Sequence, residues 1–344
     1  MFTKPFNSIL KYILFTFLIA FSAYLTFSLT KDLYLSTPGK PHRIIAITQI
    51  APHPSLDEIR RGIMDVLSAE NLKAEKIKPV EILFENAQGN VATATQIATK
   101  FVGLKPLVMV PITTPSAQSI HSAAKGHDLP IVFAGISDPA TAKLLPTEEA
   151  PFITGVSALG PIEQQAKLIV DVLVDTPLKT VGIIFNPGEA NSVRMVELIT
   201  QYLEAFKIKV IQATATNTKE VSTAVQSLVG KVSALYLPND NTVISALETV
   251  LKTAQLHKIP VFSSDPESVS RGCLACIAPD QYAVGEQVGH LVIKLLKGDS
   301  IKSLPVEVAH ENVFVLNLKV AKDLGIVIKP ELIEKADSLI KPLA

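Results

Sequence analysis

One short phrase occurs twice in this chain. PIVFAGISDP at 130–139 and PVFSSDP at 260–266 each run from a proline through an apolar stretch with a phenylalanine into Ser-Asp-Pro. Asp138 and Asp265 stand 127 residues apart, and so do Pro111 and Pro238 in LVMVPITT and ALYLPNDN. A third landmark opens each copy: a buried-type strand, a polar turn and a helix, in IIAITQIAPHPS from Ile44 and in VGIIFNPGEANS from Val181. Landmarks that recur in order mean an internal duplication, and a duplicated unit of this size folds as two similar lobes.

Within each copy, short apolar runs alternate with helical patterns. IIAITQI, EILFEN, LVMVPI and IVFAGI read as strands, and Leu56, Ile59, Ile63, Val66 and Leu67 recur at helical spacing between the first two. Ser55 with Glu58 fits a capping box for that helix. Strand–helix alternation with short connections predicts an α/β fold with doubly wound parallel sheets. Such sheets bind ligands beyond the carboxyl ends of their strands. If the two lobes face one another, their polar turns line a shared cleft, with Ser137-Asp138 and Ser264-Asp265 as equivalent rims.

The N-terminus carries a different signal. Between Lys11 and Lys31 lie 19 residues without a charge, long enough to span a bilayer, with Lys4 and Lys11 before them. Residues 1–35 therefore read as a signal peptide or a transmembrane anchor. Ala20-Phe21-Ser22 offers a cleavage spacing, and residues 12–30 would be the anchor if cleavage does not occur. Either way the remainder is exported, periplasmic or otherwise extracytoplasmic. Residues 36–42, STPGKPH, form a linker. Lys+Arg and Asp+Glu are both 32, so no basic excess is available for nucleic acid.

TQIAPHPSLDEIRRGI, FENAQGNVATATQIA, TTPSAQ, VFAGISDP, GVSALGPIEQQ, NPGEANS, SLVGKVSALYLPNDNTVISALE and PVFSSDPESVSRG together resemble the ABC-transporter substrate-binding proteins of the tryptophan/tyrosine-binding type. The resemblance runs from about residue 43 to about 328. It implies the periplasmic binding protein type I fold: two lobes joined by a three-crossover hinge. Lobe 1 would be 43–156 plus 279–310 and lobe 2 160–276 plus 311–328, with 329–344 as a C-terminal extension. The crossings would be GVSALGP (155–161), CIAPD (276–280) and VAHEN (308–312). The implied function is a solute receptor of an ABC importer, taking a small metabolite such as an aromatic amino acid and delivering it to a permease with its ATPase subunit. A membrane-tethered ligand sensor without transport is the alternative. Many relatives carry a lipobox cysteine after the signal; here the two cysteines are Cys273 and Cys276, so any anchor is the apolar helix.

An amino acid presents an anion and a cation about 3 Å apart, and its pocket needs partners for both. Thr113, Thr114 and Ser116 lie where a strand hands over to a helix, a seat for a carboxylate at the positive helix end; the competing reading is that they cap that helix. Asp138 and Asp265 are candidates for the ammonium group, against the alternative of Asx turns before proline, and the resemblance points to the lobe 2 position. Asp240 with Asn241 is a rival, against an N-cap. Ser137, Gln49 and Asn186 complete the candidate set. Glu189 and Asn191 either bind ligand or cap the helix that follows them, with capping favoured, and His53, between two prolines, either hangs over the cleft mouth or is an exposed loop histidine. Phe133, Phe185, Tyr236 and Phe262 lie within strands and read as core.

No catalytic set stands out, and no cofactor motif or metal site is expected. The seven histidines are scattered, GVSALG lacks the spacing of a nucleophile elbow, and there is no Walker loop. Cys273 and Cys276 read as inert buried thiols on opposite faces of a strand, ahead of a disulfide or a metal role.

Overall fold

The structure, a computed structural model, describes residues 43–73, 80–176 and 179–342. The apolar segment at 12–30 and the linker at 36–42 lie outside the described residues. No described helix is long and apolar enough to cross a membrane.

Thirteen strands form two sheets among the described residues. The first holds β1 (Ile44–Gln49), β2 (Glu81–Asn86), β3 (Val108–Ile112), β4 (Ile131–Ile136), β5 (Ile153–Ser157) and, later in the chain, β11 (Glu307–Val308). The second holds β6 (Thr180–Phe185), β7 (Lys209–Thr214), β8 (Ala234–Leu237), β9 (Val261–Ser263), β10 (Ala275–Pro279), β12 (Asn312–Asn317) and β13 (Ser338–Ile340). Their orders are β11-β5-β4-β3-β1-β2 and β13-β12-β10-β9-β8-β6-β7. Removing the late strands leaves 5-4-3-1-2 and 10-9-8-6-7, one arrangement written twice. The 127-residue echo is therefore a repeat of topology. Every pairing is parallel except β10 with β12.

Central strands are buried on both faces, which is why IIAITQ and VMVPI read as unbroken apolar runs. One core surrounds the first sheet, and two separate cores cover the opposite faces of the second. The segment after residue 328 adds the edge strand β13 to the second sheet.

The chain passes between the sheets after β5, β10 and β11. The three passages lie side by side. Ala309 N–H donates to the Ser157 carbonyl at 2.8 Å, Asp280 N–H to the Glu311 carbonyl at 3.0 Å, and Gly160 sits against the Pro279 ring. After β10 the chain enters the helix Gln281–Lys297, capped by Asp280, which lies on the helix Pro54–Lys73. Glycines let the two backbones touch: a Cβ on Gly285 would stand 2.1 Å from the Ile59 carbonyl oxygen, and one on Gly62 2.3 Å from that of Tyr282.

Candidate ligand-binding cleft

Loops at the carboxyl ends of β1, β3 and β4 meet loops after β6, β8 and β9 around a small cavity of about 60 Å³. Leu56, Ile59, Ile244, Ala51 and Gly135 supply its apolar wall. Its carboxylate linings are Asp240 and Asp265, and among the described residues it is lined by no lysine, arginine, phenylalanine or tyrosine. Phe133, Phe185, Tyr236 and Phe262 are buried core, as read from the sequence. A wider chamber of about 850 Å³ adjoins it, sharing Ala51, Asn191, Asn241 and Ser245 as lining.

On the first-sheet side the helix Thr114–Ala123 begins at this cavity with no acid in its first turn and no side-chain cap. Thr113, a non-glycine residue at φ 75°, turns the chain there. A β-branched residue in that region is strained, and strain of this kind persists where the surroundings over-determine it. Thr113 and Thr114 line the cavity, and the hydroxyls of Thr113 and Ser116 are buried without a partner. They do not cap the helix; Ser116 lies behind the lining.

On the second-sheet side acids are concentrated. Asp240 is 1% exposed; its Oδ1 accepts the Val243 N–H at 2.8 Å and its Oδ2 the Asn186 N–H at 2.6 Å. Burial, reinforced by the neighbouring Glu189 carboxylate, pushes Asp240 up to about 7. Glu189, which the sequence offers as a cap of its own helix, does not cap it. It caps the helix Asn241–Ser245 instead, accepting the N–H groups of Asn241 and Thr242 at 2.9 and 3.0 Å and both side chains as well. The physical reason is length: a glutamate in the turn beyond β6 reaches the neighbouring helix end, where orphan N–H groups face it.

The two sides touch at a second group of residues. The Ser55 hydroxyl donates to Asp265 Oδ1, so the expected capping box does not form and Glu58 pairs with Arg61. Asp265 Oδ2 accepts the Ser268 N–H at 3.0 Å and the Ser268 hydroxyl. His53, which the sequence places either over the cleft mouth or in an exposed loop, is 8% exposed between Asp265 and Arg271. Ser55 N–H donates to His53 Nδ1 at 3.2 Å, while His53 Nε2 lies 3.3 Å from Arg271 Nη1 and 3.8 Å from Asp265 Oδ2. Burial lowers the His53 pKa, Asp265 opposes that shift, and Arg271 adds to it. Arg271 is itself held by Glu248.

The cleft rim carries one more link. Arg194 Nε donates to Asp138 Oδ2 at 3.2 Å. Asp138 also accepts the Thr141 N–H and hydroxyl, so it bonds local backbone three residues on and not two as in an Asx turn. Burial raises its pKa, but these hydrogen bonds and Arg194 outweigh that and leave it lowered.

Two duplicated parallel sheets whose strand ends enclose one cavity are the architecture of a solute receptor, and the family comparison agrees. The family described as ABC transporter substrate binding protein matches residues 44–340. The chain belongs to the ABC transporter substrate-binding protein family. It is 35% identical over 292 residues to a tyrosine-binding protein of Clostridioides difficile, covering 84% of this chain and 82% of that one. It superposes with a TM-score of 0.81 on an ABC domain in complex with L-Trp from Streptococcus pneumoniae, at 33% identity over 87% of this chain and 100% of the other. Against a ligand-free, open structure of a substrate-binding protein with adhesive properties from Clostridium difficile, the TM-score is 0.63, at 32% identity over 88% and 100%.

Of the residues proposed from sequence, this family member brings Thr113, Thr114, Ser137, Asp240, Asn241 and Asp265 to the cavity. Asn186 lines the wider chamber, where its amide bonds Thr242. Gln49 is buried behind the wall, donating to the Ala51 carbonyl and Asp57, and Asp138 stays at the rim. His53, Ser55, Asn191 and Gln281 also line the cavity; the sequence offers His53 and Asn191 as contacts without favouring them, and does not single out Ser55 or Gln281. Polar residues at a strand-to-helix turn are the available signal for the first three. Cys273 and Cys276 are free and share one core cluster, because Cys273 precedes β10 and does not alternate with Cys276; burial raises both thiols.

Proposed function

We propose that this chain is the extracytoplasmic receptor of an ABC importer, that it takes an aromatic amino acid as the zwitterion, and that it delivers it to a permease driven by a separate ATPase subunit. The observation that carries the reading is the polarity of the cavity. One wall ends in an uncapped helix N-terminus with the unpartnered hydroxyl of Thr113 and that of Ser116 behind it, and the facing wall holds Asp240, with Glu189 in the adjoining chamber. A carboxylate is stabilised at the first and an ammonium group at the second. The slot of Leu56, Ile59 and Ile244 accepts the ring. Relatives described as tyrosine-binding and as complexed with L-Trp support the choice of ligand.

In this reading each sheet belongs to one hinged lobe, 43–156 plus 279–310 and 160–276 plus 311–328, and the lobes shut on the ligand. The contacts Ser55–Asp265 and Asp138–Arg194 bridge the cleft, as expected of a closed form. The better superposition on the L-Trp complex than on the open structure, at similar identity, supports the same state. The apolar run at 12–30 carries the chain through the membrane, as a cleaved signal or as a retained anchor.

The chain contains no tryptophan, so fluorescence from added L-tryptophan reports binding without background indole. We expect L-tryptophan or L-tyrosine to raise the melting temperature by a few degrees at a hundredfold excess over Kd. A screen of the twenty amino acids in which no aromatic one does so overturns the proposal.

A further inference from the structure

Asn191, the second residue of the helix Ala190–Ala205, borders both chambers and is 5% exposed. Its amide nitrogen is committed: Nδ2 donates to the Asn239 carbonyl at 2.5 Å and lies 3.5 Å from Glu189 Oε2. These partners fix which way the amide faces, because the flipped group would set an oxygen against two oxygens. The remaining atom, Oδ1, is an acceptor, buried and without a hydrogen-bond partner. Buried acceptors in native structures are nearly always paired, so an orphan one beside a cavity marks where a donor arrives.

The chemistry of that donor follows from the neighbours. Glu189, Asp240 and the Asn239 carbonyl surround Asn191, and among the described residues neither chamber is lined by a lysine or arginine. A negative field favours a cationic N–H. The other acids near the cavity are already engaged. Asp265 holds Ser55 and Ser268, and Asp240 holds the N–H groups of Asn186 and Val243.

We propose that Asn191 Oδ1 is the acceptor for the ligand's ammonium group, with Asp240 and Glu189 supplying the charge around it, so that Asn191 selects amino acids over their deaminated analogues. This moves the amine partner away from Asp265, the position favoured by the sequence, and rests on the reading of the ligand as an aromatic amino acid.

The test compares L-tryptophan with indole-3-propionate, which lacks only the amine, on the wild-type chain and on Asn191→Ala. The ratio of the two dissociation constants within one preparation does not depend on how much of the variant is folded. In Asn191→Ala, L-tryptophan is expected to bind about 10- to 100-fold more weakly, the range for a lost hydrogen bond to a charged group. Indole-3-propionate should change less than about twofold, the signature of a contact made to the amine alone. Unchanged L-tryptophan affinity overturns the assignment. An equal loss for both ligands also overturns it, since Asn191 would then be a strut for the Asn239 loop. A wild-type chain that binds no amino acid removes the parent reading along with this one, a result distinct from either variant outcome.

Discussion

The Ser55 hydroxyl donates to Asp265 across the cleft, tying the first helix on one sheet to the loop after β9 on the other. In the proposed closure of the lobes, Asp265 is thereby a closure residue. Ser55→Ala removes a bond that exists only when the two sides meet, so it lowers the affinity for every ligand that requires closure. A bond to a carboxylate is worth about 1.5–3 kcal/mol, which predicts a loss of tenfold or more, alike for L-tryptophan and for tryptamine or indole-3-propionate. Calorimetric titration of the three ligands checks this. A loss restricted to the two amine-bearing ligands would return Asp265 to the role of ammonium partner.

His53 makes the same junction sensitive to pH. In this structure, which we propose is the closed form, the ring is buried, faces Asp265 and Arg271, and has Asp57 and Glu248 nearby; burial is the dominant cause and the pKa is lowered from 6.5. The neutral ring is thus preferred in the closed form. Protonation is easier once the cleft opens, so closure is favoured above about pH 6.5 and is progressively lost as pH falls below it. Ligand affinity should therefore decline on acidification through this window, and His53→Gln should flatten the profile. An affinity that rises as pH drops from about 7 to about 5 would contradict the sign.

The repeat makes the fold legible, and it also shows where legibility ends. Strand order can be read because each copy keeps its landmarks. The sequence presents the two Ser-Asp-Pro turns as equivalent rims, yet Ser137 and Asp265 line the cavity while Asp138 and Ser264 do not. The cause lies in spacing: five positions separate Phe133 from Asp138, but three separate Phe262 from Asp265. The first copy spends its extra residues on a bulge at Ala134–Ile136, with Gly135 at φ 66°, and a bulge re-aims the side chains that follow. Ser55 escapes, and His53 and Asn191 are not favoured as contacts, for another reason. Their roles depend on what the opposite sheet presents, which no local pattern encodes.

Thr113 supplies a test of the opposite wall. Its hydroxyl is buried, unpartnered and at the mouth of a helix N-terminus. Thr113→Val keeps the β-branched shape at this strained position and deletes the oxygen. If the ligand's carboxylate sits here, L-tryptophan should lose about tenfold in affinity, while tryptamine, which has no carboxylate, should be unaffected. Equal losses for both ligands would place the carboxylate elsewhere.

The flank of the first sheet rests on the contact between the helices Pro54–Lys73 and Gln281–Lys297. A Cβ at Gly285 meets backbone, the Ile59 oxygen at 2.1 Å and the Ile59 carbonyl carbon at 2.9 Å. Backbone cannot rotate out of the way as a side chain can, so Gly285→Ala forces the helices apart. Overpacking of this kind costs about 1–3 kcal/mol, occasionally more. The displacement also moves Leu56, Ile59 and Gln281, all of which line the cavity, so binding should weaken together with thermal stability. Gly103 is the control. It lies in the helix Val91–Leu104, is exposed, and a Cβ there would meet nothing within 4 Å. Gly103→Ala should stabilise by up to about 1 kcal/mol through helix propensity. Thermal melts of the two variants should therefore move in opposite directions, and a Gly285→Ala variant as stable as wild type would mean that the two helices do not approach this closely.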